Sequence, residues 1–230
     1  MPAKILLVEG PDDRDFFIAT LKHSRLESVL IEPKVPRESH PDVKGNGVNN
    51  LFTALDLQVK KLFEADGPEA LGVVLDADHS TGDPSCNFGF TVRRNQVADI
   101  LAGHGWHPAL SALSRGEIFS NPNGLPPIGL WVMPDHQSDG MLEDFVTSLV
   151  IGHDQQALLA HAQNTVNTLP TKLFDPVLHT TKANISTWRA WQKPPGSPLN
   201  RLIENGVLDL SLNPAAEFTD WLKATFLYKL

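Results

Sequence analysis

The sequence predicts an α/β fold whose core is a mostly parallel four-stranded sheet flanked by helices. Short continuous apolar runs bounded by turn residues are typical of buried strands, and four of them lie at residues 5–8, 29–31, 71–75 and 129–133. Segments with helical periodicity lie between these runs, and that alternation is typical of a parallel sheet with helices on both faces.

The first apolar run leads directly into an acidic turn. Glu9 follows the strand, Gly10 breaks it, and Asp12 or Asp13 is the predicted cap of the helix that comes next. Glu9 is therefore expected at the carboxyl end of a strand, where open α/β sheets bind their ligands. The same stretch is equally compatible with an ordinary strand–turn–helix unit in which Glu9 is solvated.

The second strand, at residues 29–31, is expected to be closed by Pro33. A stretch rich in proline, glycine and asparagine then predicts a long loop. The helix after this loop is predicted to have Asn49 or Asn50 as its cap and to run to about Phe63, because leucine and valine recur there at helical spacing.

The third and fourth strands also end in acidic residues, with a helix at about residues 90–102 between them. Asp76 and Asp78 directly follow the third strand, and the alternation of side chains in a strand would place both on the same side. Asp135 follows the fourth strand, and a helix that contains Glu143 comes next.

The last third of the chain is predicted to be a helical extension packed on the sheet. Helical segments are expected at about residues 155–167, 176–192, 198–205 and 215–227. Large aromatic residues at helical spacing are more often typical of a core than of a ligand site. We therefore predict an α/β domain at residues 1–152 and a helical extension at residues 153–230.

Composition excludes several classes of protein. The 230 residues are 41% hydrophobic and 20% charged, which is ordinary for a globular protein, and no apolar run is long enough to span a membrane. Cys86 is the only cysteine, so we expect no disulfide framework and a cytoplasmic location. The net charge of −8 argues against a broad basic surface for nucleic acid, although bound divalent cations would invert the field locally.

The carboxyl ends of parallel strands lie at one edge of a sheet, so the acidic residues after these strands are expected to converge. Crowded carboxylates raise one another's pKa unless a cation neutralises them, and their oxygen atoms suit Mg²⁺ or Mn²⁺. Helix N-termini also favour acidic residues. This alternative accounts well for Asp12, Asp13 and Glu143 but poorly for Asp76 and Asp78.

Two motifs resemble those of the topoisomerase-primase (Toprim) superfamily: Glu9-Gly10 after the first strand, and the D-x-D of Asp76 to Asp78 after the third. Within the superfamily, the chain is most similar to small stand-alone bacterial Toprim-like proteins of unassigned function. They share VEGxDD at the start, GxLED after the fourth strand, and a later stretch in which Lys182 precedes two tryptophans. The match covers most of the chain.

The resemblance implies a Toprim fold and Mg²⁺- or Mn²⁺-dependent chemistry on phosphodiester bonds. Glu9, Asp76 and Asp78 would hold one metal ion. In related nucleases of the overcoming-lysogenization-defect type, an acidic residue four positions after the first glutamate serves a second metal ion. Asp13 occupies that position in this chain, and Glu143 would help to hold the second ion.

Two basic residues are candidates for roles beside the metal ions. Lys182 would neutralise the phosphate in the transition state, since such chemistry depends on positioning and charge; a surface lysine at a helix start is an equally good interpretation. His79 adjoins Asp78. It is either a residue that supports the metal ligands, a proton donor, or a solvent-facing loop histidine. Glu9, Asp76, Asp78 and Lys182 are therefore the predicted catalytic residues.

These observations predict a metal-dependent nuclease that acts on nucleic acid. One alternative is phosphoryl transfer on a nucleotide or small phosphate ester, which fits the acidic composition better. Another is a non-catalytic metal-binding module that works with protein partners in a defence or repair assembly. The chain has no Walker A motif and a single tyrosine, Tyr228, so we expect neither ATPase nor topoisomerase activity.

Overall fold

The computed structural model describes residues 4–26, 29–81 and 87–227, so Cys86 and Tyr228 lie outside the described residues. In chain order, the strands are β1 Lys4–Leu7, β2 Ile31–Lys34, β3 Ala70–Asp76, β4 His107–Pro108, β5 Glu117–Ser120 and β6 Ile128–Met133. The helices are α1 Pro11–His23, α2 Pro36–Ser39, α3 Val48–Lys61, α4 Phe90–Gly103, α5 Leu142–Leu149, α6 His153–Asn167, α7 Pro176–Ala190, α8 Leu199–Glu204 and α9 Ala215–Phe226.

The strands form one six-stranded sheet in the order β2-β1-β3-β6-β5-β4. The first four strands in this order are parallel, and β5 and β4 extend the sheet in antiparallel fashion. The predicted α/β fold with a mostly parallel sheet is therefore confirmed, but the prediction of four strands was wrong. The strands β4 and β5 are short and lack a continuous apolar run, which is the pattern that identified the other four.

The second strand begins at Ile31 and contains Pro33, which we had expected to close it. The backbone N–H of Val8 donates a hydrogen bond of 3.0 Å to the carbonyl of Lys34, so pairing continues past the proline. Because β2 is an edge strand, a residue without an N–H is tolerated there.

Two helices begin differently from the prediction. Gly10, not Asp12 or Asp13, is the N-cap of α1, and Gly47, not an asparagine, is the N-cap of α3. Pro11 occupies the first turn of α1, where its missing N–H has no intrahelical partner to lose. Asp13 therefore lies within the first turn, and its side chain does not cap the helix.

The sheet carries a hydrophobic cluster on each face. In β1, Leu6 belongs to the cluster beneath α1, α5 and the later helices, whereas Ile5 and Leu7 belong to the cluster beneath α3 and α4. This division follows from the alternation of side chains along a strand. Within the described residues, every helix is too short or too polar to cross a membrane.

The four helices α6 to α9 lie within two residues of their predicted bounds. The last of them, α9, packs on β3 and β6, where Gly72 and Gly129 face each other across the two strands. A Cβ atom on Gly72 would lie 2.8 Å from Cζ of Phe226, and one on Gly129 would overlap Thr225. The Nζ of Lys4 also donates a hydrogen bond of 2.9 Å to the carbonyl of Phe226. The predicted boundary after residue 152, between an α/β domain and a helical extension, stays a prediction.

Candidate functional site

Glu9 lies at the carboxyl edge of the parallel strands, two residues after β1. Its Oε1 accepts a hydrogen bond of 2.8 Å from the backbone N–H of Asp76, the last residue of the neighbouring strand β3. Its carbonyl accepts one of 3.0 Å from the N–H of Gly47. The ends of the first and third strands therefore meet at Glu9, as the sequence predicted.

Asp76 connects this strand end to the start of α5. Its Oδ1 accepts a hydrogen bond of 2.9 Å from the N–H of Leu142, the first residue of that helix. The N–H groups of a first helical turn have no intrahelical partner, so Asp76 supplies a cap from outside the helix. The same contact brings Glu143, the next residue of α5, to the sheet edge.

Burial and mutual repulsion raise the pKa values of three carboxyl groups here. Burial raises the pKa of Glu9 to about 7, and the charges of Asp13 and Asp78 add to the rise. Burial raises the pKa of Asp13 to about 6, with a contribution from Glu143. The pKa of Asp76 lies well above its usual value, first because of burial and then because of Glu9, Asp13 and Glu143. We call Glu9, Asp13, Asp76 and Glu143 the carboxylate cluster.

Lys182 of α7 is a basic partner of the carboxylate cluster. Its Nζ lies 3.7 Å from Oε1 of Glu143, whose charge raises the pKa of Lys182, with smaller contributions from Asp76 and Asp13. The side chain of Glu143 is 14% exposed and that of Lys182 is 58% exposed. The lysine therefore reaches the cluster from the solvent side.

Asp78 has a different position from the one predicted by strand alternation. The strand ends at Asp76, and Asp78 has a φ of 60°, in the left-handed region. Strand alternation therefore does not apply to Asp78, and the expectation that it places Asp76 and Asp78 on the same side was wrong in its premise. Its backbone exchanges hydrogen bonds of 2.8 and 3.1 Å with Gly140, and its Oδ2 lies 2.9 Å from Nη2 of Arg93. Its charge still acts on Glu9.

Arg93 of α4 is the residue of this region that the sequence analysis missed. It is buried, its Nη1 donates a hydrogen bond of 3.2 Å to Gln96, and its guanidinium carbon lies 5.3 Å from the centroid of the Phe88 ring. The adjacent Arg94 instead bonds Glu117. Two neighbouring arginines in a helix look alike in sequence, and only the packing of α4 shows which one faces Asp78.

His79 is paired rather than free in its loop. Its Nε2 lies 3.1 Å from Oδ2 of Asp144. The same oxygen accepts a hydrogen bond of 2.9 Å from the N–H of Met141, at the start of α5. His79 therefore connects the loop after β3 to the helix that carries Glu143.

Two other acidic residues near the strand ends have structural partners. Asp135, after β6, accepts a hydrogen bond of 2.7 Å from the N–H of Ser138 and lies 3.8 Å from Arg115. Asp139 accepts one of 2.7 Å from the N–H of Phe90 and so caps α4. The expectation that Asp135 contributes to the site at the sheet edge finds no support in these contacts.

The donor set of the carboxylate cluster suits a hard divalent cation such as Mg²⁺. One oxygen each of Glu9 and Asp76 bonds a backbone N–H, and the other has no hydrogen bond to the described part of the chain. No three His, Cys, Asp or Glu side chains among the described residues are already arranged as a metal-binding group. Asp78 and Glu143 each face a basic side chain in this structure.

Comparisons with known proteins give one result. A family model described as "Protein of unknown function (DUF3226)" matches residues 3–227. Neither the curated proteins nor the solved structures include a match to this chain.

Proposed function

The chain belongs to the DUF3226 family of proteins of unknown function, and we propose that it is a Toprim-like, Mg²⁺-dependent enzyme that cleaves phosphodiester bonds in nucleic acid. The carboxylate cluster is the observation that carries this proposal. Its four acidic side chains come from three separate segments and meet at one sheet edge, where three of them have raised pKa values. A divalent cation would offset both the burial and the mutual repulsion that raise these pKa values.

The assignment to the Toprim superfamily rests on the positions of the two motifs. Glu9 and the D-x-D motif follow β1 and β3, which are adjacent parallel strands. The hydrogen bond between Glu9 and the N–H of Asp76 supports a common role for the two motifs.

The acidic residues of the site would bind two metal ions. Glu9, Asp76 and Asp78 would hold one Mg²⁺ or Mn²⁺, and Asp13 and Glu143 would hold a second. Divalent cations bound at such a site supply Lewis acidity to the attacking and leaving oxygens of the phosphodiester.

The chain itself would position the substrate. Lys182 can exchange its ion pair with Glu143 for one with a substrate phosphate, because its side chain is largely exposed. A lysine in that position would stabilise the charge of the transition state. The contact of His79 with Asp144 would hold the end of the D-x-D motif against α5.

Cleavage of plasmid and single-stranded DNA and RNA, with Mg²⁺ or Mn²⁺ and with EDTA, tests this function. We expect metal-dependent cleavage by the wild-type protein and a loss of at least roughly 100-fold in the Asp76→Asn/Asp78→Asn variant, because ligand removal abolishes charge stabilisation at the metal. Lys182→Ala should lower the rate as well, and an unchanged rate would remove Lys182 from the mechanism.

Asp135→Asn is the matched control. It neutralises another strand-end aspartate, one that pairs with Arg115 and lies outside the carboxylate cluster, so we expect wild-type activity. Cleavage that survives the Asp76→Asn/Asp78→Asn change, or that continues in EDTA, would contradict the proposal.

A second candidate is a non-catalytic module that binds a cation and a protein partner. It is favoured by the structural partners of the acidic residues: Asp76 caps α5, Asp78 pairs with Arg93, and Glu143 pairs with Lys182. Binding of Mg²⁺ in a calorimeter without cleavage of any substrate would favour this candidate over the enzyme.

A third candidate is phosphoryl transfer on a nucleotide or small phosphate ester in the cytoplasm. The net charge of −8 favours it, since a small substrate does not need a broad basic surface. Release of phosphate from a panel of nucleotides, without cleavage of DNA or RNA, would identify this activity.

A further inference from the structure

Arg93 is a permanent charge held in a fixed position beside Asp78 of the D-x-D motif. The residue is only 4% exposed, and its guanidinium contacts Asp78, Gln96 and the ring of Phe88. Its Nε is buried and has no hydrogen bond to the described residues. A guanidinium does not lose its proton in proteins, so this charge is present at every pH at which the protein is folded.

Asp78 combines a fixed backbone with an accessible carboxylate. Two hydrogen bonds to Gly140 hold its main chain, whereas its side chain is 36% exposed. Rotation about the side-chain bonds can therefore turn the carboxylate away from Arg93 without moving the backbone.

The charge of Arg93 reaches more than one acidic residue. It pairs directly with Asp78 at 2.9 Å, and it also lowers the pKa of Glu9, against the larger effect of burial. Arg93 therefore already supplies part of the neutralisation that a bound cation would supply to these two carboxylates.

We propose that Arg93 is an internal counter-ion that competes with a divalent cation for Asp78. The inference rests on the proposed metal-binding function and adds a positioning residue to it. Asp78 pairs with Arg93 when no cation is bound and turns to the cation when the site is loaded. Arg93 thus weakens metal binding while it neutralises the charge of Asp78 in the absence of a cation.

Isothermal titration of the purified protein with MgCl₂ and with MnCl₂ tests this competition. We expect Arg93→Gln to bind Mg²⁺ on the order of tenfold more tightly than wild type, because a positive charge close to the cation is removed and Asp78 is released. Arg93→Lys, which keeps a positive charge beside Asp78, should bind more weakly than Arg93→Gln and within about twofold of wild type. Arg93→Met retains much of the buried stem and serves as a second neutral variant if Arg93→Gln does not fold.

Arg94→Gln is the matched control. It removes the same charge from the next position of α4, and Arg94 pairs with Glu117 rather than with Asp78. We expect its affinity to stay within about twofold of wild type. Two results would overturn the counter-ion role but not the metal site, provided that the wild type binds Mg²⁺. One is that Arg93→Gln and Arg93→Met bind Mg²⁺ no more tightly than wild type. The other is that Arg94→Gln binds Mg²⁺ as tightly as Arg93→Gln. Absence of binding in the wild type and in all Arg93 variants would overturn both proposals, and binding only in the neutral Arg93 variants would support the competition.

Discussion

At the scale of single residues, Glu9 makes the stability of the protein depend on pH. Its pKa is about 7 in the folded protein, against about 4.5 for an ordinary glutamate, because the side chain is buried beside other acids. Between these two values the folded protein binds more protons than the unfolded chain. The free energy of unfolding therefore falls as the pH rises from about 4.5 to about 7.

We expect Glu9→Gln to remove part of this pH dependence and to raise the free energy of unfolding at pH 8 by about 1–3 kcal/mol in EDTA. Urea denaturation between pH 5 and pH 8 measures both effects. The raised pKa values of Asp13 and Asp76 act in the same direction, so some dependence will persist. An unchanged pH profile in Glu9→Gln would contradict the raised pKa of Glu9. The control variant is Glu64→Gln, at an exposed glutamate outside the site.

The pairing of Arg93 with Asp78 could not be predicted from the sequence. The acidic motifs identified Glu9 and Asp76 because each follows an apolar run, and parallel strands bring their ends together. Asp78 lies beyond the end of the strand with a φ of 60°, so strand geometry did not determine where its side chain lies. The partner that does determine it, Arg93, comes from another helix through tertiary packing.

At the scale of elements, one capping residue stabilises the start of α7, the helix that carries Lys182. Asp175 is the N-cap of this helix, and its carboxylate accepts hydrogen bonds of 2.8 and 3.1 Å from the N–H groups of Val177 and Leu178. We expect Asp175→Ala to lower the free energy of unfolding by about 1 kcal/mol, because both N–H groups lose this acceptor.

Urea denaturation measures this loss, and Asp175→Asn is the matched control. Asparagine is an equally good N-cap, so this variant should retain nearly all of the stability of the wild type. A loss in Asp175→Asn as large as that in Asp175→Ala would show that the charge, not the cap, stabilises the start of α7.

The helices that sequence predicted well include those bounded by residues that break helices. The helices α6 to α9 lie close to their predicted bounds, because Pro170, the Pro194-Pro195-Gly196 turn and Pro214 mark the breaks between them. The strands β4 and β5 pair only because the end of the sheet beside β6 is available to them. Their sequences carry no signal of their own, so tertiary pairing was needed to find them.

At the scale of the whole molecule, the contact of α9 with the sheet joins the last helix to the central strands. Gly129 of β6 leaves the space that Thr225 fills, and the Thr225 Oγ1 is buried without a hydrogen bond to the described residues. We expect Gly129→Ala to lower the free energy of unfolding by about 1–3 kcal/mol, because the added methyl group overpacks this interface.

Thr225→Ala in the same chain should recover part of this loss, since it removes the two side-chain atoms nearest the new methyl group. Urea denaturation of the two single variants and the double variant gives the coupling free energy. Strictly additive effects would contradict the close packing of α9 on β6 and would place the helix elsewhere.

The packing of α9 over β3 and β6 has a consequence for protein synthesis. The ribosome completes every strand of the sheet before it begins α9, and until then the face around Gly72 and Gly129 lacks its cover. A growing chain must therefore carry an exposed apolar sheet face, which is the condition under which partly folded chains aggregate.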